Sequence, residues 1–351
     1  MISLRSRRSF SSRSPDRQSG AAVVVIALLT LALAVVAFYG ARWYVYQRPL
    51  PMSADRIEFR VPAGAGVRSI AQIAQTAGVG VQPTAMVAAA RFAGATSNLR
   101  AGRYAVERGI TLAGLLDKLK SGDVLREKLT VVEGITFREL RALLAGASEL
   151  KQDSGSLSNA ELLKMIGANE AHPEGLFAPD TYVYDPGTTD VELLRQAYRR
   201  QMKRLQEAWE ARSEGLPYKS PYEALIMASI VEKETGQAAE RDMIAGVFVN
   251  RLRIGMLLQT DPTVIYGLGA KFDGNLRKRD LTTDTPYNSY TRAGLPPTPI
   301  ALPGRASIEA ALKPAKTNAL YFVSRGDGTS HFSSTLSEHN RAVDKYQRGQ
   351  R

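Results

Sequence analysis

The sequence predicts an α+β protein with an N-terminal transmembrane helix, a small α+β module and a larger mixed α+β domain. Three observations lead to this prediction. Residues 21–39 form a run of 19 residues without a charge. Alternating apolar residues, a glycine turn and helical spacing then follow one another three times. Longer helical patterns come after these units. We therefore expect a tail at 1–20, a span at 21–41, a linker at 42–56, the module at 57–125 and the larger domain at 126–351.

Composition excludes several kinds of chemistry. The chain has 351 residues, a net charge of +12 and no cysteine. Disulfides, thiolate nucleophiles, cysteine zinc sites and iron–sulfur clusters are therefore excluded. The three histidines, His172, His331 and His339, are scattered and include no close pair at helical ligand spacing. We predict no metal site and no cofactor.

The uncharged run indicates membrane insertion. At about 1.5 Å per residue, it is about as long as the hydrocarbon core of a bilayer is thick. Five arginines and a single acid, Asp16, precede it, and positive residues favour the cytoplasmic side. We therefore predict a single-pass membrane protein whose N-terminal tail stays in the cytoplasm and whose main part, after Arg42, is exported.

A cleaved signal peptide is the alternative to an anchor, but its apolar region is usually shorter and ends at small residues. Here the run ends with Phe38 and Tyr39. An exported domain rarely meets nucleic acid, so the positive charge favours envelope polymers and anionic lipid as partners over nucleic acid.

Small strand and helix units follow the linker. Residues 57–61 alternate as a half-buried strand, 62–66 turn the chain, and 67–74 have helical spacing. The pattern recurs at 104–111 and at 129–139, where Thr136 and Glu139 form a capping-box signature. The first unit resembles a LysM-like module, a type that holds glycan chains. A generic unit without a ligand is the alternative.

The larger domain reads as helices first and strands later. Residues 158–205 are predicted helical around a loop at 174–182, and 221–253 form a second helical block. Beyond Gly255 the glycine, proline and tyrosine content favours strands and ordered loops over helices. A hairpin is predicted from 320–323 and 331–333, and a closing helix over 338–346.

One acid in the second helical block lies on an apolar face. With successive residues rotated by about 100°, the large aliphatic side chains of residues 226–231 centre at about 270° and Glu234 lies at about 280°. Glu232 points away from that face. A carboxyl group in apolar surroundings has a raised pKa and can act as a general acid. If the helix instead ends near Lys233, Glu234 is an exposed residue of its last turn.

Several blocks carry a resemblance to a known family. They are ASIVEKET (228–235), ERD (240–242), VNRLRIGM (249–256), LQTDPTVIYG (258–267), YNSY (287–290) and GLPPTPI (294–300). The chain closely resembles the endolytic murein transglycosylase family, also called MltG or YceG-like. The resemblance extends from the anchor to about Tyr346.

The resemblance implies an activity and its catalytic residue. The resemblance implies a single-span inner-membrane protein whose periplasmic part is a peptidoglycan lyase, which cuts glycan strands between N-acetylmuramic acid and N-acetylglucosamine and leaves 1,6-anhydro ends. The family's catalytic glutamate is the second acid of the Glu-Lys-Glu motif, which here is Glu234. The resemblance also implies action beside peptidoglycan synthases, where the enzyme releases or terminates nascent strands.

Polar residues in the matching blocks are candidates for holding sugar, because amides and hydroxyls bind sugar hydroxyls and aromatic rings pack on sugar C–H faces. The candidates are Gln259, Thr260, Asp261, Tyr266, Asn288 and Tyr290. A muramidase-type hydrolase with Asp261 as second carboxylate and a non-catalytic glycan-binding scaffold are the alternative functions.

Overall fold

The computed structural model describes residues 17–234 and 236–348, with side chains described from residue 23 onward. The predicted tail therefore lies almost wholly outside the described residues, as does Thr235. The chain divides into two compact units, residues 1–125 and residues 126–351.

The first unit begins with a long apolar helix. Helix α1 spans Arg17–Gln47, and its part Val23–Gln47 is long and apolar enough to cross a membrane. Its side chains from Val23 to Val45 are exposed. An exposed apolar surface of this size is unusual for a soluble protein. The structure is therefore consistent with a single-pass anchor.

The rest of the first unit is a small α+β module. Its elements are β1 (Arg56–Val61), α2 (Val67–Thr76), α3 (Pro83–Phe92), β2 (Gly102–Glu107) and α4 (Leu112–Ser121). The strands are antiparallel, with Phe59 opposite Tyr104. Alternation buries Ile57, Phe59 and Val61 on one face of β1, as predicted. The likeness of this module to LysM stays a prediction.

The segment predicted as a linker is tied to the module by backbone hydrogen bonds. The N–H of Leu50 donates to the carbonyl of Ile110 at 2.8 Å, and the N–H of Gly80 donates to the carbonyl of Pro51 at 2.6 Å.

The second unit is a mainly helical body with two small sheets, each of two antiparallel strands. Its first half contains β3 (Glu127–Val131), α5 (Phe137–Ala145), α6 (Asn159–Ile166), β4 (Asp180–Tyr184) and α7 (Asp190–Glu210). Its second half contains α8 (Pro221–Glu234), α9 (Arg241–Arg253), α10 (Asp261–Leu268), α11 (Lys278–Thr282), α12 (Arg305–Leu312), β5 (Tyr321–Ser324), β6 (Ser330–Ser333) and α13 (Leu336–Val343).

Several predicted elements are confirmed. The capping box of Thr136 and Glu139 begins α5. Strands β5 and β6 pair as an antiparallel hairpin, and a helix closes the described chain. The helical block over 221–253 is two helices, because the chain turns after Glu234 through a 3₁₀ turn at Ala238–Glu240.

Two predictions were wrong. The end of the predicted loop is strand β4, which pairs with β3 and buries Tyr182 and Tyr184 by alternation. Beyond Gly255 we expected strands and loops rather than helices, yet α10, α11 and α12 lie there. Asp261-Pro262 begins α10, and an acid with a proline in the first turn is a helix-start signal.

Candidate active site at the end of helix α8

Helix α8 carries the predicted acid out of the core of the second unit. Every side chain from Ala224 to Val231 is buried, and the helix packs against α9, α10 and α12. Ser229 anchors it further, because its hydroxyl accepts the backbone N–H of Ile300 at 2.9 Å. The last turn, which contains Glu234, is thus held in a fixed position.

Glu234 is a half-buried residue and not an exposed one. The helix continues to it, and the hydroxyl of Thr260 donates a hydrogen bond to its Oε1. Burial raises the pKa of Glu234 because the charged form loses hydration, while the Thr260 hydroxyl acts in the opposite direction. The prediction from the apolar face of the helical wheel therefore identified a carboxyl group that is desolvated in the structure.

Two charged side chains near Glu234 also act on its pKa. The negative charge of Asp261 raises it and the positive charge of Arg251 lowers it. Arg251 is only 7% exposed. Its guanidinium is held by backbone carbonyls, with 2.6 Å to Leu320 and 2.7 Å to Leu258. A fixed cation near a carboxyl group can stabilise the carboxylate that forms once the proton has left.

The N-terminal end of α10 brings three of the sequence candidates together. Thr260 and Asp261 begin this helix, and the Tyr290 hydroxyl donates to Asp261 Oδ1 at 2.6 Å. The backbone N–H of Thr260 donates to the Ser289 hydroxyl at 3.0 Å, which links the two segments. Thr260 therefore contacts the Glu234 carboxyl group directly, and Asp261 and Tyr290 lie close enough to interact with it electrostatically.

The other three candidates have different surroundings. Asn288 is 1% exposed, and its amide nitrogen donates to the carbonyls of Asp280, Leu281 and Thr283. Its carbonyl oxygen accepts the N–H of Tyr290 at 2.9 Å. This amide links the backbone of residues 280–283 to that of Tyr290.

Gln259 and Tyr266 flank the site. Gln259 is exposed, and its backbone has a φ of 48°, a value that residues other than glycine rarely adopt. Tyr266 lies in the C-terminal half of α10, where its hydroxyl donates to Glu174. Among the described residues, no hydrogen bond joins Tyr266 to Glu234.

The three residues at the end of α8 bind three different segments. Glu232 Oε2 accepts the N–H of Gly304 at 2.9 Å and the hydroxyl of Ser307 at 2.7 Å, at the start of α12. Lys233 Nζ donates to the carbonyl of Gly134, between β3 and α5, at 3.1 Å. Glu234 binds the start of α10 through Thr260. Glu232 points away from Glu234, as the wheel predicts, but towards α12.

Sequence reasoning missed Glu174, a buried acid whose hydrogen-bond partner Tyr266 lies in α10. It is 2% exposed, and its carboxylate accepts the N–H of Phe137 at 2.8 Å and the hydroxyl of Tyr266 at 3.0 Å. Burial raises the pKa of Glu174 to about 7. The sequence does carry one indication that Glu174 is buried, because the apolar run from Gly175 to Pro179 follows this acid directly. The turn formers and aromatics of that stretch predict only a loop.

Comparison with known proteins gives a consistent result. A sequence model described as the YceG-like family matches residues 59–345. An endolytic murein transglycosylase of Bacillus subtilis is 34% identical over 84% of this chain and 86% of its own length. One of Streptococcus pneumoniae is 28% identical over 93% of this chain and 65% of its own length.

A solved structure is also similar. The crystal structure of a YceG-like protein from Listeria monocytogenes is 28% identical, with a TM-score of 0.53 over 82% of this chain and 98% of that one. The family match covers well over half of the residues, and the Bacillus relative covers most of both chains. The chain belongs to the YceG-like family.

Proposed function

We propose that this protein is a membrane-anchored peptidoglycan lytic transglycosylase in which Glu234 is the single catalytic acid and base. The observation that carries the proposal is the half-buried Glu234 carboxyl group with the Thr260 hydroxyl on its Oε1. The names of the two relatives, endolytic murein transglycosylases, support the substrate class. The substrate is the glycan strand, cut at the β-1,4 bond between N-acetylmuramic acid and N-acetylglucosamine.

In the first step Glu234 donates its proton to the bridging oxygen. Burial raises the pKa of Glu234 and so favours the protonated form that general-acid catalysis requires. The bond from C1 of the muramic acid to the bridging oxygen breaks, and the oxygen leaves with the proton. Arg251 and the Thr260 hydroxyl stabilise the carboxylate that remains.

In the second step the carboxylate acts as a base. It takes the proton from the 6-hydroxyl of the same muramic acid, whose oxygen bonds to C1 and closes the 1,6-anhydro ring. No water is consumed, and Glu234 regains its proton. The nucleophile is tethered, so its high effective concentration replaces the water or the second carboxylate that ordinary glycosidases need.

Product analysis tests this reaction. Full-length protein in detergent is incubated with isolated sacculi, and the released ends are identified by mass spectrometry. We expect anhydro ends, which are lighter than reducing ends by one water. Glu234→Gln should melt at the wild-type temperature and release no ends. Reducing ends would instead show a hydrolase, for which Asp261 is the candidate second carboxylate, and activity in Glu234→Gln would exclude Glu234 as the acid.

We also propose that α1 spans the inner membrane with its N-terminus in the cytoplasm. Because the natural chain has no cysteine, a single introduced one reports accessibility. Thr96→Cys, at an exposed position of the first unit, should react with an impermeant maleimide in cells with a permeabilised outer membrane, and Ser9→Cys should react only after lysis. The reverse pattern would contradict this topology.

Cleavage near the membrane would terminate nascent strands beside peptidoglycan synthases. Cells that carry Glu234→Gln as the sole copy should then have longer glycan strands than wild-type cells. Unchanged strand length would argue against a role in termination.

A further inference from the structure

Glu174 lies where three segments around the candidate active site meet. Its carboxylate binds the first residue of α5, Phe137, and the Tyr266 hydroxyl in α10. Its neighbour Gly175 packs on the segment that leads to α12, and a β-carbon at Gly175 would lie 2.5 Å from Pro299. The Gln201 amide links the segment around Gly175 to the segment before α12 by donating to the carbonyls of Gly175 and Pro303.

These are the same three segments that the end of α8 holds. Glu232 binds the start of α12, Lys233 binds the segment before α5, and Glu234 binds the start of α10. The end of α8 and the region around Glu174 therefore both bind α5, α10 and α12 or the residues that lead into these helices. The link through α10 is the most direct, because Tyr266 and Thr260 lie on one short helix whose backbone transmits a displacement of either end.

We propose that Glu174 is a positioning residue that holds helix α10 so that the Thr260 hydroxyl meets the Glu234 carboxyl group. It acts through Tyr266 and does not touch substrate. The inference rests on the proposed function, because it assumes that Glu234 is the acid. Glu174 takes this role because it is nearly inaccessible and both of its oxygens are already bound.

Two variants remove the hydrogen bond between Glu174 and Tyr266, one by changing the acceptor and one by changing the donor. Glu174→Met keeps the approximate shape of the side chain and removes both hydrogen bonds, whereas Tyr266→Phe removes only the hydroxyl. Glu174→Gln is the conservative variant, because its amide oxygen can accept from Phe137 while its NH₂ donates to the Tyr266 oxygen.

Glu170 provides a matched control. It also accepts a tyrosine hydroxyl at 3.0 Å, from Tyr198, but this pair joins α7 to the segment after α6 and does not involve α10. Glu170→Met therefore removes the same kind of bond without the link to the site.

The readout is the alkaline limb of the pH profile of kcat/KM, which reports the pKa of the general acid. The Thr260 hydroxyl lowers the pKa of Glu234. Glu174→Met and Tyr266→Phe should therefore move the limb to higher pH, as Thr260→Val should. They should lower kcat about tenfold to a hundredfold with KM near the wild-type value. Glu174→Gln should restore both quantities, and Glu170→Met should change neither.

Double variants make the test specific. If Glu174 acts through Thr260, then Glu174→Met combined with Thr260→Val shifts the limb no further than Thr260→Val alone. A limb that stays in place in folded Glu174→Met or Tyr266→Phe, or additive shifts in the double variant, would overturn the proposal. If Glu174→Met does not fold, Tyr266→Phe decides. Glu234→Gln is assayed in parallel, because its activity would overturn the proposed acid whatever Glu174 does.

Discussion

The Thr260 hydroxyl donates to the Oε1 of Glu234, so one neutral side chain at the start of α10 favours the ionised form of the proposed acid. The next residue, Asp261, acts in the opposite direction through its charge. Thr260 and Asp261, which are adjacent in sequence, thus have opposite effects on the pKa of Glu234.

Thr260→Val should raise the pKa of Glu234. The substitution keeps the shape and removes the donor, so the carboxylate is less stable and the proton is held more tightly. Activity should then persist to higher pH, and the alkaline limb of kcat/KM should move upward. Thr260→Ser retains the hydroxyl and is the control. A downward shift in the valine variant would contradict this account.

Asp261→Asn should have the opposite effect. The amide oxygen can still accept the Tyr290 hydroxyl, but the negative charge beside Glu234 is lost, so the pKa of Glu234 falls and the alkaline limb moves to lower pH. Product analysis of the same variant also separates two mechanisms. A lyase should still form anhydro ends, whereas a hydrolase that needs Asp261 should lose activity.

Glu174 should make folding stability decrease as pH rises. Its pKa is raised from 4.5 to about 7, so the folded state holds the proton more tightly than the unfolded state. This contribution is complete below pH 4.5 and is lost as pH rises towards 7, a change of about 3 kcal/mol. The unfolding free energy of the wild type, measured against that of Glu174→Gln, should decline over this interval. A constant difference between the two proteins would contradict the shift.

Gly175→Ala should destabilise the second unit by about 2–4 kcal/mol, because it adds overpacking to a strained backbone. Gly175 has a φ of 81°, and an added β-carbon would lie 2.5 Å from Pro299. Gly187→Ala is the matched control, with a φ of 89° and open space around the added carbon. It should cost about 1 kcal/mol. Chemical denaturation of both variants measures the difference, and equal losses would show that Pro299 moves aside.

The sequence was sufficient where local signals decide the structure. Thr136 and Glu139 form a capping box within four residues, and the wheel of α8 orders Glu232 and Glu234 without any tertiary information. Alternation was enough to place β1. These features depend on neighbours along the chain, which a sequence displays directly.

Long-range contacts explain what the sequence did not reveal. Strand β4 forms because β3, some fifty residues earlier, pairs with it. Glu174 finds its partners in Phe137 and Tyr266, far from it in sequence. Asn288 belongs to a matching block, yet its amide is used by backbone carbonyls, which no spacing rule shows.

The attachment of three consecutive side chains to three separate segments limits how this helix can change in evolution. Deleting or inserting one residue in α8 would turn its last residues by about 100° and shift them by about 1.5 Å. Glu232, Lys233 and Glu234 would then lose their partners together. We expect length variation among relatives to avoid the stretch between Pro221 and Glu234 and to collect in surface loops.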